Sequence, residues 1–180
     1  CRSLIQFDFD HIPKRIRVLL GKEKDPYDTF DYLLGLQKKH DFESIYFFLL
    51  ADYGHNDKNI THTSKKFQTL VKTMADYVKV GIHPSWASNT DNHKLTKEIN
   101  RLESIVNREV IRSRQHFLRL DLPTTYRRLI DLGILQDYTM GYASQVGFRA
   151  GTSLPFYFYD LDMEIQTALM VHPFAVMDGT

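Results

Sequence analysis

Short apolar runs alternate with amphipathic stretches along this chain. The runs predict strands at Ser3–Asp10, Glu43–Leu50, Val78–His83, Val110–Leu118, Ile134–Tyr138 and Thr167–Met177. Between them, apolar residues at helical spacing predict helices over Asp28–Lys39, Thr63–Tyr77, Asp91–Arg108 and Pro123–Leu132. Leu95, Ile99, Leu102, Ile105 and Val106 share one face of the third. Pro123 opens the fourth and Gly133 follows its end, the usual asymmetry of helix termini. Asp52–His62 and the Gly-punctuated Gly141–Gly151 read as loops. Strand, helix, strand, helix throughout predicts an α/β domain with a mainly parallel sheet, its strand exits on one side.

Composition narrows the class. The 180 residues suffice for one domain with a real core. Twenty-three basic and 22 acidic residues leave a net charge of +1, which gives no reason to expect nucleic acid or an anionic membrane as partner. One cysteine, Cys1, excludes an intrachain disulfide and a Cys-rich zinc module. No apolar stretch is long enough to span a bilayer, and the N-terminus lacks a signal-peptide pattern, so the expected location is cytoplasmic. Because the sequence does not begin with Met, a trimmed signal peptide is the alternative. The aromatic runs Phe156–Tyr159 and Tyr46–Phe48 read as strand core, with a sugar-stacking wall as the other reading.

The predicted strand exits carry the chemistry. The first ends in paired carboxylates, Asp8 and Asp10, and the third at His83. The fourth carries Arg114 and His116, two residues apart and so expected on one face. Asp and His are ligand types for zinc and related divalent ions. One carboxylate and two imidazoles leave coordination sites open, and a second carboxylate nearby could take a proton from bound water. Each piece alone has a plainer reading: a turn for Asp8 and Asp10, a loop histidine for His83, a core histidine for His116. His11 and His93 are reserve ligands. Lys38–Lys39, Lys65–Lys66 and Arg127–Arg128 read as solvated helix faces.

The order of motifs resembles the polysaccharide deacetylase family, the NodB-like domains of family-4 carbohydrate esterases. The matching stretches are Phe7-Asp8-Phe9-Asp10, Gly81-Ile82-His83-Pro84-Ser85-Trp86 and Arg114-Gln115-His116-Phe117. Ser113–Leu118, Asp137–Tyr142, Gly147–Thr152 and Met177–Thr180 are similar to a divergent bacterial branch that accompanies surface-polysaccharide synthesis. The resemblance implies a deformed (β/α) barrel, here lacking its last strands. It implies a metal-dependent hydrolase that removes an acyl group, N-acetyl above all, from an amino sugar or polysaccharide. Asp8 would then be the general base and Asp10 and His83 ligands of a divalent metal, zinc by ligand type. Arg114 would keep Asp8 ionised. The family's second histidine falls at Ala87, so His116, at the place of the family's proline, is expected to supply the missing imidazole. His172, in Met170-Val171-His172, fits the family's late histidine motif, against a buried or loop histidine. Arg149 and Trp86 are candidate substrate-binding residues; a salt bridge and a loop anchor are their plainer roles. The rival reading is a non-catalytic carbohydrate-recognition or assembly relative, and a third keeps metal hydrolysis on a non-sugar amide.

Overall fold

A computed structural model describes residues 12–178. The strand expected at Ser3–Asp10, and with it Asp8, Asp10 and His11, lies outside these residues. The chain divides into two compact units, Cys1–Glu43 and Ser44–Thr180.

In the first unit, α1 (Ile12–Leu19) and α2 (Phe30–His40) are helical. Arg15 donates to Asp25 at 3.1 Å, and the same carboxylate accepts from Tyr27 N at 3.0 Å. Asp25 and Pro26 thus make a turn, and α2 begins a few residues after it, at Phe30 and not at the expected Asp28. Asp41, in the left-handed region with φ 51°, ends α2.

The second unit holds β1 (Ile45–Phe48), α3 (Lys65–Tyr77), β2 (Lys79–Ile82), α4 (Asn92–Val106), β3 (Arg112–Ser113), α5 (Thr124–Asp131), β4 (Gln136–Asp137), β5 (Phe156–Asp160) and β6 (Ile165–Val171). The strands form one open sheet in the order β1-β2-β3-β4-β6-β5. All neighbours are parallel except β5, which runs antiparallel to β6. The expected α/β architecture is therefore present, with the sheet unclosed. Ser64 caps α3 by accepting from Phe67 N, and Asp91 caps α4 by accepting from Lys94 N. Val71, Met74 and Ala75 of α3 are buried, as are Leu95, Ile99 and Leu102 of α4. Together with Leu50, Ile82, Leu129, Leu169 and Val171 they make the core. Among the described residues no helix is long and apolar enough to cross a membrane.

Three expectations are corrected. The fourth strand is confined to Arg112–Ser113, not Val110–Leu118. Past Ser113, the N–H groups of Gln115 and His116 turn to Thr139 Oγ1 and the Pro84 carbonyl, both at 3.0 Å, and leave the ladder. A single 3-10 turn, His116–Leu118, follows, with Phe117 at φ 57° and Leu118 at φ 51°. Second, the last strand stops at Val171, so His172 stands just past an exit rather than inside a strand. Third, Phe156–Tyr159 forms a strand, β5, at the sheet edge. Phe158 packs on Tyr126 with ring centroids 5.0 Å apart, but Tyr157 and Tyr159 are about half exposed, because successive side chains point to opposite faces and theirs is open to solvent.

Candidate active site

Parallel pairing brings the exits of β2 and β3 side by side. Ile82 is in register with Ser113, so His83 and Arg114 leave the sheet together. His83 N donates to the Phe48 carbonyl at 2.9 Å and Arg114 N to the Ile82 carbonyl at 3.1 Å. With His116 N on Pro84 O, these bonds lace the two exit loops together. Both imidazoles are thereby aimed at one point. Nε2 of His83 lies 2.9 Å from Nδ1 of His116, the rings 4.9 Å apart and nearly perpendicular at 82°.

The far side of His116 decides its tautomer. Its Nε2 lies 3.1 Å from the Asn56 carbonyl, which only accepts. The proton therefore sits on Nε2, and Nδ1 turns a lone pair towards His83. Holding one ring nitrogen on a carbonyl while the other faces a shared point is the arrangement of metal-ligating histidines. In the metal-free pair the His83 proton therefore sits on Nε2 and is donated to His116 Nδ1, while His83 Nδ1 is buried with no hydrogen-bond partner among the described residues. The two imidazoles, aimed at one point, offer the ligand type that a divalent metal takes, while their nitrogens stand at hydrogen-bond distance from each other. Among the described residues no group of three His, Cys, Asp or Glu side chains gathers to hold one. The expected carboxylate, Asp10, lies outside the described residues.

Buried carboxylates fix the loops. Asp57 accepts from Trp86 N at 2.8 Å and Ala87 N at 3.3 Å, and its Oδ1 lies 4.0 Å from His116 Nε2. Glu98 accepts from Ser85 N at 3.0 Å and from its hydroxyl at 2.6 Å; burial pushes the Glu98 carboxyl up. Neither was found in the sequence reading. Glu98 had a signal, a carboxylate among Leu95, Ile99 and Leu102 on an apolar helix face; Asp57 lay in an aperiodic loop. Ala87, where the family's second histidine falls, begins a 3-10 turn, Ala87–Thr90, that Asp57 caps.

The other candidates surround the pair. Trp86 meets Phe117 edge-on at 5.5 Å, and Phe117 meets His116 at 4.3 Å. These two exposed rings make an aromatic wall beside the imidazoles. Phe117, which sequence reading passed over, holds a left-handed conformation unusual for a bulky residue, and such strain concentrates at functional positions. Arg119 lies over the Trp86 ring at 4.4 Å. Arg149 donates to the Leu118 carbonyl at 3.2 Å and so anchors the turn that carries His116. The Arg114 guanidinium stands 4.2 Å from the Phe174 ring centre, and its charge also acts on His83. Arg114 and His116 do not share a strand face, because the chain leaves the ladder between them. His172 stacks on Tyr138 at 4.4 Å, and its Nε2 is buried without a hydrogen-bond partner among the described residues. His93 lines a separate cleft between α3 and α4.

No family model and no curated protein sequence matches the chain. Solved structures do. A crystal structure of a presumed polysaccharide deacetylase from Mycobacterium smegmatis superposes with a TM-score of 0.56 over 94% of this chain, at 15% identity. The chain has the polysaccharide-deacetylase fold. It spans about half of that neighbour, 53% of its length. The structure of IcaB from Ammonifex degensii is also similar, with a TM-score of 0.47 at 11% identity over 66% of this chain and 57% of its own. On this fold, His83 and His116, from two of the resembling stretches, meet where β2 and β3 leave the sheet.

Burial, then the neighbouring His116, push the His83 imidazole down to about 4. Between that value and 6.5 the unfolded chain binds the proton and the folded chain does not. This stabilising contribution is complete above pH 6.5 and is lost as pH falls towards 4, by roughly 2–3 kcal/mol. Thermal melts of chelated protein at pH 7 and pH 4.5 test this. His83→Asn is expected to lose less stability on acidification than the parent; equal losses would mean that His83 is not held neutral by burial.

Proposed function

We propose that this chain is a hydrolase that removes an acyl group, N-acetyl above all, from an amino sugar or polysaccharide. The observation that carries the reading is the His116 lone pair, fixed by Asn56 and aimed at His83 on a polysaccharide-deacetylase fold. His83 Nε2 and His116 Nδ1, with Asp10 as carboxylate, would hold a divalent metal, with zinc favoured by this ligand set. Such an ion, when bound, polarises a carbonyl and acidifies water. Asp8, at the other end of the Asp-Phe-Asp element, would take the proton from the attacking water. Arg114 would supply the positive charge that favours an ionised Asp8. Trp86 and Phe117 offer their rings to a sugar face, while Arg149 keeps the Phe117 turn in place.

The test is to strip the protein with chelator, titrate zinc, and measure acetate released from N-acetylglucosamine oligomers. Zinc binding with zinc-dependent acetate release is expected. Neither would favour the second reading, a non-catalytic carbohydrate-recognition domain. One observation favours that reading: a proton shared between His83 and His116 at 2.9 Å satisfies both nitrogens without a metal.

A further inference from the structure

The face between α3 and α4 carries an open cleft of 1230 Å³, larger than most small-molecule pockets. Four cationic side chains, Lys65, Lys72, Lys97 and Arg101, line it against a single carboxylate, Asp52. Lys97 and Arg101 both pair with Asp52, so that carboxylate is already shared. Lys65 and Lys72 on the opposite wall are exposed and make no ion pair among the described residues. The excess of positive charge is local, since the whole chain carries only +1. His62, at the same wall, is pushed down by burial and by Arg101 and Lys97, with Asp52 opposing.

The shape of the cleft limits its occupant. Lys65 and Lys72 stand two helical turns apart, about 10 Å along α3. Thr69, Asn100 and Asn107 place neutral hydrogen-bonding groups between and opposite the charges. Spaced cations interleaved with hydroxyl and amide groups match a chain that bears both anionic groups and many hydroxyls. The cleft also adjoins the loops of the candidate active site. A smaller hollow of 220 Å³ shares Asp52, Lys97 and Arg101 with it and reaches Asp57, Ser85 and Ala87, in the loops that hold His83 and His116.

We propose that the α3–α4 cleft is a binding surface for an anionic stretch of polysaccharide, lying beyond the sugar held at the imidazole pair. The proposal names the substrate class for the deacetylase reading and rests on it. Lys65 and Lys72 hold carboxylates of the chain, and the Asp52–Lys97–Arg101 cluster is the step from the cleft to the rim.

The experiment measures binding of a polyuronate hexasaccharide to the full chain by calorimetry, beside a neutral N-acetylglucosamine hexamer and a duplex DNA dodecamer. Lys65→Glu with Lys72→Glu is expected to weaken polyuronate binding at least 10-fold and to leave neutral-hexamer binding unchanged. Lys65→Gln with Lys72→Gln, which removes the charges without reversing them, should fall between. Raising salt from 50 to 300 mM should weaken the parent's polyuronate binding at least 10-fold, as screening requires. Lys38→Glu with Lys39→Glu, a basic pair outside the cleft, should change nothing. Polyuronate binding unchanged in both Lys65/Lys72 variants overturns the proposal. So does equal loss in the Lys38/Lys39 control, or duplex DNA binding as tightly as polyuronate. Acetate release from the neutral hexamer reports the imidazole pair alone. Its absence with polyuronate binding intact would remove the deacetylase reading and leave the cleft standing as a polyanion site; its presence without polyuronate binding would do the reverse.

Discussion

His116→Ala is expected to lower zinc affinity by roughly 100-fold or more and to bring acetate release to background. Changes to groups that merely orient a ligand cost 10–100-fold, so loss of a ligand itself should cost at least the upper end. His83→Ala should do the same, because each imidazole contributes one nitrogen to the same point. The two differ in what they leave behind. Without His116, the Asn56 carbonyl loses its donor and Phe117 its ring neighbour. Without His83, His116 keeps its hold on Asn56 and its lone pair, but faces nothing. His116→Ala should therefore cost more stability in chelated protein than His83→Ala, while the zinc losses match. A drop in melting temperature with unchanged zinc affinity in both variants would show a hydrogen-bonded structural pair and sink the metal reading.

How the imidazoles meet shows what the sequence could and could not tell. His83 was legible, because an apolar run ending before Pro84 marks a strand exit. His116 was paired with it for a reason the structure alters. Period-two counting put Arg114 and His116 on one strand face, yet the ladder ends at Ser113 and a left-handed Phe117 turns the chain. A residue other than Gly at positive φ has no dependable sequence signature, so that turn could not be read in advance. The Asn56 carbonyl is less legible still, since any residue offers one and its loop has no periodicity. Buried Asp137 marks the middle ground: it accepts from Ser113 Oγ at 2.6 Å and from Thr139 N and Oγ1 at 2.9 and 2.8 Å. A charged residue inside an apolar run was visible, and Thr139 is its near neighbour in sequence, but Ser113 on β3 comes beside it only once the sheet is assembled. The helices were read best, because their caps and apolar stripes are local. The short strands were read worst, because a strand's ends are set by its neighbours and not by its own residues.

Gly81→Ala is expected to destabilise the protein by about 2–3 kcal/mol, through a clash that no side chain nearby can relieve alone. Gly81 sits in β2 between Phe47 of β1 and Arg112, at the start of β3. A Cβ there would stand 2.7 Å from the Arg112 carbonyl oxygen and 2.7 Å from Cε1 of Phe47. The Phe47 ring could rotate, but it also packs on Tyr138 at 5.5 Å. The Arg112 oxygen belongs to the backbone of β3 and moves only if the strand moves. Glycine is required here by close approach and not by a special backbone angle. A loss of that size lowers the melting temperature of a chain this long by roughly 5–10 °C. Gly35→Ala is the control: its added methyl meets nothing within 4 Å, it lies inside α2, and alanine favours helix by about 1 kcal/mol. It should leave the melting temperature unchanged or raised. Because β2 delivers His83 and β3 delivers Arg114 and His116, parting these strands also spoils the pair. Gly81→Ala should therefore weaken zinc binding as well, though Gly81 is not itself one of the pair. Unchanged melting and unchanged zinc affinity together would mean that β2 and β3 do not approach as closely as the register of Ile82 with Ser113 requires.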